Sequence, residues 1–104
     1  MTARFTYVWE FIVPEANRRD FEAHYAPGGS WGQMFRQHSG YIETVLLHDL
    51  ELPQRYVTID RWVSREAYDA FRSAFSEEYD QLDRRCEGLT SEETFLGAFS
   101  ETAA

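Results

Sequence analysis

Residues 55–71, RYVTIDRWVSREAYDAF, change from alternation with a period of two to spacing by threes and fours. In 55–63, Tyr56, Thr58, Asp60 and Trp62 fall on one face and Val57, Ile59, Arg61 and Val63 on the other, which predicts a strand. Ser64 then caps a helix, and Glu66 favours the positive end of its dipole. Tyr68, Phe71, Phe75, Tyr79, Leu82 and Cys86 recur on one side of that helix. One long amphipathic helix is therefore expected, with Gly88 as its C-cap.

The rest of the chain reads the same way. Residues 4–13 alternate, with Phe5, Tyr7, Trp9, Phe11 and Val13 on one face of a strand. Pro14 stops it and suits the first turn of a helix over 15–25, where Phe21 and Tyr25 share a face. Pro27-Gly28-Gly29 breaks that helix, and Ser30 is placed to cap a short one that buries Trp31, Met34 and Phe35. Residues 41–50 form a strand whose core face is either Tyr41, Val45 and Leu47 or Ile42, Leu46 and Leu50. The polar stretch 49–54 suits a hairpin, and 94–100 a last strand carrying Phe95, Leu96 and Phe99. The order β-α-β-β-α-β, with one extra short helix, predicts an α+β ferredoxin-like domain spanning 1–104. Its antiparallel four-stranded sheet carries the helices on one face. The other face needs a cover for its apolar residues, and a homodimer through the open sheet face supplies it.

Composition narrows the partners. The 104 residues suit one core; 43% are hydrophobic and 16% aromatic, which argues for a packed interior or an aromatic pocket. A net charge of -8 disfavours nucleic acid and anionic membranes. No apolar run approaches the ~20 residues of a membrane helix, and the N-terminus has no secretory pattern, so a cytoplasmic location is expected. All ten basic residues are arginine, which excludes lysine Schiff-base chemistry. The lone Cys86 reads as a small buried hydrophobe. His24, His38, His48 and Cys86 lack metal-ligand spacing, and the chain has no phosphate loop, dinucleotide fingerprint or nucleophile elbow. Neither a metal nor a cofactor is expected.

The strand, the Asp60-x-Trp62-x-Ser64 step and the aromatic helix resemble the antibiotic-biosynthesis-monooxygenase group of the dimeric α/β-barrel superfamily. The resemblance implies a homodimer and, from the group's cofactor-free quinone-forming oxygenases, a small aromatic, polyketide-like substrate. Trp62 and Tyr68 keep that pattern's tryptophan and tyrosine spacing, while Thr58 stands at its asparagine. The pattern's helix arginine falls near Leu82, with Arg84 and Arg85 beside it. The haem-degrading relatives' pattern is not met: the first strand has no asparagine, Phe71 stands near their tryptophan, and no histidine follows His48.

Direct reaction of a phenol or anthrone with oxygen needs a base, a dry aromatic pocket and donors for the developing oxyanion. His24 is the first candidate base and His48 the second; His38 falls in a loop. Tyr68 joins them as a catalytic candidate. Tyr7, Trp9, Trp31, Thr58 and Trp62 are the candidate substrate-binding residues, lining a pocket between sheet and helices. Trp62 and Tyr68 either stack on the ligand or pack the helix start. The segment 27–35 reads as a lid on a Gly-Gly hinge or as a packed connector. The alternative to an enzyme is a non-catalytic dimeric binding or accessory protein of the same fold.

Overall fold

The computed structural model of the chain describes residues 4–102. Strands β1 (Phe5–Ile12), β2 (Tyr41–His48), β3 (Arg55–Trp62) and β4 (Glu92–Ser100) form one antiparallel sheet in the order β2-β3-β1-β4. Helices α1 (Arg18–Tyr25), α2 (Ser30–Phe35), α3 (Arg65–Ala74) and α4 (Ser76–Cys86) cover one side of it. This is the ferredoxin-like α+β arrangement. A 3-10 turn, Glu15–Asn17, follows Pro14 and leads into α1.

Strand β3 keeps the alternation of its sequence. Tyr56, Thr58, Asp60 and Trp62 are buried under the helices, while Arg55, Val57, Ile59 and Arg61 are half-buried on the other face. In β1, Tyr7 and Phe11 point into the helix-covered side. Trp62 and Phe71 centre one aromatic core with Tyr7, Trp31, Met34, Phe35, Leu82 and Cys86. Phe11, Val13, Phe21 and Tyr56 make a second, smaller one.

Three details depart from the sequence expectation. The long helix is two helices: Phe75 leaves helical geometry (φ -116°, ψ 25°), and α4 restarts at Ser76 with Glu77 and Glu78 in its first turn. The apolar spacing runs across the break because Phe75 stays on the core side, stacked on Phe71 at 5.2 Å. Ser64 does cap α3, its Oγ accepting from the Ala67 N–H at 3.1 Å. Ser30 does not cap α2. It is the helix's first residue, after Gly29, and its Oγ lies 2.8 Å from His24 Nδ1.

The third departure is in β2. Its register against β3 shifts between Tyr41 and Glu43, so Thr44 faces Asp60 and Leu46 faces Thr58. Neither expected core face survives. The bulge passes the inward face from Tyr41 to Thr44 and Leu46, as an inserted residue in a strand must.

The uncovered face carries Val8, Val45, Val57 and Ile59 half-buried along its middle, with Leu47 and Phe99 exposed. Ion pairs frame this stripe. Arg61 meets Glu43 at 3.1 Å and Glu101 at 2.8 Å; Arg55 meets Glu10 at 2.7 Å and Asp49 at 3.1 Å. No helix among the described residues is long and apolar enough to cross a membrane.

Candidate active site

Between the inner sheet face and α1, α2 and α4 lies a cavity of about 300 Å³. Tyr7, Trp9, Phe11, Tyr25, Trp31, Phe35 and Tyr79 supply its aromatic wall. Its polar positions are Thr44, Thr58 and Asp60, with Asp83 and Glu93 exposed at the mouth. No arginine or histidine is among these lining residues. Buried polar groups are more informative than buried apolar ones. Of the buried polar side chains described (Thr6, Thr44, Thr58 and Asp60), three meet at this one cavity.

Each polar residue is delivered by the sheet. Thr58 and Asp60 are alternate inward positions of β3, and the β2 bulge brings Thr44 opposite Asp60. The Thr44 hydroxyl donates to Asp60 Oδ1 at 2.5 Å, and the Tyr41 hydroxyl lies 2.6 Å from Thr44 Oγ1. With the Thr44 proton directed at Asp60, Tyr41 is the donor to Thr44. Burial pushes the Asp60 carboxyl up to about 6, against the Thr44 hydrogen bond, which pulls it down. Burial also raises the phenols of Tyr7, Tyr25 and Tyr79, the last to about 12, so all three stay protonated donors at neutral pH. The wall thus combines one buried carboxylate with neutral O–H donors.

Of the residues expected from sequence to touch substrate, Tyr7, Trp9, Trp31 and Thr58 line the cavity. Trp62 does not reach its surface. It is fully buried among Phe35, Tyr41, Tyr68 and Phe71, with ring centroids 5.1–5.5 Å away. Its indole N–H makes no hydrogen bond. Tyr68 stands behind Tyr7 at 5.1 Å and accepts from Arg72 Nη1 at 3.3 Å. Arg84 and Arg85 are exposed on α4, away from the cavity. Arg72 lies close to the wall, its guanidinium 3.7 Å over the Tyr79 ring.

The histidines lie elsewhere. His24 is held by Ser30 in the corner between α1 and α2. His48 stacks on Tyr56 at 4.2 Å, with Nε2 2.7 Å from the Pro53 carbonyl in the hairpin. His38 Nδ1 accepts from the Gly40 N–H at 3.1 Å. Helix and strand positions alone do not say which way a histidine turns, and each of the three found a local backbone or hydroxyl partner. Asp60 was not among the residues expected from sequence to line the cavity. Its signal was a carboxylate on the strand face it shares with Tyr56, Thr58 and Trp62.

The segment leading into α2 is a packed connector. A Cβ on Gly29 would come within 2.6 Å of the Ala23 and His24 carbonyl oxygens, so backbone meets backbone there. Gln33 donates to the Gly28 carbonyl at 2.9 Å and Arg36 to the Pro27 carbonyl at 2.6 Å. Trp31 is fixed to the cavity wall by this corner.

The architecture defines a ferredoxin-like α+β protein with an aromatic cavity between sheet and helices. The family model for antibiotic biosynthesis monooxygenases matches residues 4–79, and the chain belongs to that family. Among solved structures it is similar to SnoaB, a cofactor-independent oxygenase from Streptomyces nogalater. A mutant form superposes with a TM-score of 0.81 at 19% identity, covering 99% of this chain and 97% of that one. Another SnoaB structure gives 0.74 at 22% identity over the same shares. A protein from Pseudomonas aeruginosa gives 0.75 at 14% identity, over 99% of this chain and 98% of that one. At these identities the likeness is one of fold. No curated protein sequence matches the chain.

Proposed function

We propose that the protein is a cofactor-independent oxygenase that oxidises a planar, polyketide-like aromatic molecule in the cavity described above. The carrying observation is an aromatic-walled space whose buried polar groups are one carboxylate and several neutral hydroxyls. At about 300 Å³ it is at the small end of ligand pockets (~300–1,000 Å³), the size for a two- or three-ring substrate. The SnoaB likeness supports the same reading. The reaction balances with dioxygen alone: a ring methylene and O2 become a ring carbonyl and water.

Trp9 and Trp31 would hold the ring plane and Thr58 would offer a hydroxyl to it. Trp62 and Tyr68 would act from behind, by fixing Tyr7. We read the working form as a homodimer, sheet against sheet, on the strength of the half-buried apolar stripe on the open face. The test is oxygen uptake with 1,8-dihydroxyanthrone and no added metal or cofactor. Uptake well above the buffer blank is expected; a rate equal to the blank sinks the reading for this substrate class. A non-catalytic binding protein is the second reading, favoured by Thr58 at the family pattern's asparagine position. It predicts tight binding of the anthraquinone product with no uptake.

A further inference from the structure

We propose that Asp60 is the catalytic base of this cavity and that Thr44 is the positioning residue that holds its carboxylate. The inference rests on the cavity being the active site and assigns a proton-transfer role within it.

Three observations carry it. Asp60 is the buried carboxylate of the wall, whereas Asp83 and Glu93 stand exposed at the mouth. It also has no ion-pair partner among the described residues. Glu10, Asp49, Glu43 and Glu101, on or beside the other face of the same sheet, each have an arginine. An acid buried without a cation costs stability, so a purely structural role would favour threonine or valine here. Lastly, Asp60 is held at one oxygen only. Oδ1 accepts from Thr44, backed by Tyr41, and Oδ2 takes no hydrogen bond among the described residues. Nor is Oδ2 among the buried polar atoms sealed away without a partner, which leaves it open to the cavity.

The groups around Asp60 suit the task. Tyr7 comes from β1, Tyr41 and Thr44 from β2, Tyr79 and Asp83 from α4, Tyr25 from α1 and Glu93 from β4. Tyr68 and Arg72 of α3 stand behind them. No cation touches the carboxylate to weaken it as a base, and burial, lifting it to about 6, strengthens it while leaving it ionised at neutral pH.

The first step breaks a methylene C–H bond. The proton goes to Asp60 Oδ2, and the electron pair stays on the substrate as an enolate that can accept from the wall phenols. The enolate gives one electron to dioxygen. Substrate radical and superoxide then join in a new C–O bond, and the peroxide takes the proton back from Asp60. Elimination breaks the second C–H bond and the O–O bond. Proton and hydroxide leave as water, and the carbonyl forms with Asp60 ionised again.

Proton abstraction can be read without oxygen, as hydrogen–deuterium exchange at the methylene of 1,8-dihydroxyanthrone in D2O, followed anaerobically by NMR. The wild-type protein should accelerate exchange over buffer, with a rate that rises with pH through about 6 and then levels. Asp60→Asn should lose at least a hundredfold of that acceleration. Thr44→Val removes the hydrogen bond that favours the ionised form, so it should retain exchange with the limb moved to higher pH. Exchange at the wild-type rate in a folded Asp60→Asn protein overturns the proposal. So does an unmoved limb in Thr44→Val, or no exchange by the wild type. Asp60-dependent exchange without oxygen uptake would uphold the base and overturn the oxygenase reading. Uptake indifferent to Asp60 would do the reverse.

Discussion

The two faces of strand β3 solve opposite problems with alternate residues of one short sequence. Arg55, Val57, Ile59 and Arg61 face outward, where both arginines sit in ion pairs and the aliphatic side chains are only half covered. Tyr56, Thr58, Asp60 and Trp62 face inward, where the acid has one hydroxyl for company and the tryptophan is wholly enclosed. Charge is neutralised where water would have tolerated it and left single where water is scarce. That inversion is hard to explain by folding alone, and it is what supports the active site proposed on the inner face.

The sharpest way to break the comparison is to remove its most enclosed member. Trp62→Ala should cost about 3–5 kcal/mol, because the ring fills a site ringed by four aromatics that have no room to collapse. Urea denaturation measures it. A loss under 1 kcal/mol would mean that the inner face is loosely packed.

Asp60 gives the next largest effect, with the opposite sign. Its carboxyl is raised from 3.8 to about 6, so the folded protein holds that proton more tightly than the unfolded chain does. Its stabilising contribution is complete below about pH 4 and is lost as pH rises through about 6. The gap corresponds to roughly 3 kcal/mol. Asp60→Asn should therefore gain up to ~3 kcal/mol at pH 8 and almost nothing at pH 4. Destabilisation at pH 8 would show that the carboxylate has a compensating partner.

Changes on the outer face should be felt between molecules more than within one. Ile59→Asp places a charge in the middle of the apolar stripe, opposite Val8 and Val45, and should weaken a sheet-to-sheet dimer at least tenfold by light scattering. A wild-type protein that is monomeric at micromolar concentration would remove the dimer from consideration. Arg61→Ala is the smallest change. Its partners Glu43 and Glu101 are substantially exposed, and pairs of that kind contribute about 0–1 kcal/mol.

Much of this architecture was legible from residue spacing. The alternation of β3, the Ser64 cap and the ββ hairpin need only local rules, and local rules are what a sequence displays. The break at Phe75 was hidden because Phe71, Phe75 and Tyr79 keep their spacing on both sides of it. The β2 bulge was hidden for a different reason: register is decided between strands, and shifting it changes which side chains face inward. Tyr7, Trp9 and Trp31 stand on apolar faces that spacing displays, and Thr58 was reached through the family pattern's asparagine position; all four line the cavity. Asp60 could not be singled out that way, since the role proposed for it rests on Thr44, sixteen residues earlier, and on the lack of an ion-pair partner among the described residues.

The clamped corner at Gly29 also says something about time. A lid that swings open imposes its own microsecond-to-millisecond clock on capture and release of a molecule. Here α2 is tied to α1 through backbone packing and through the His24–Ser30 and Arg36–Pro27 hydrogen bonds. For a ligand bound there, passage past the mouth would be left to the rotations of exposed side chains such as Asp83 and Glu93, which take place in picoseconds to nanoseconds. For the substrate proposed above, residence in the cavity would then be set by how well the ring system fits and is desolvated.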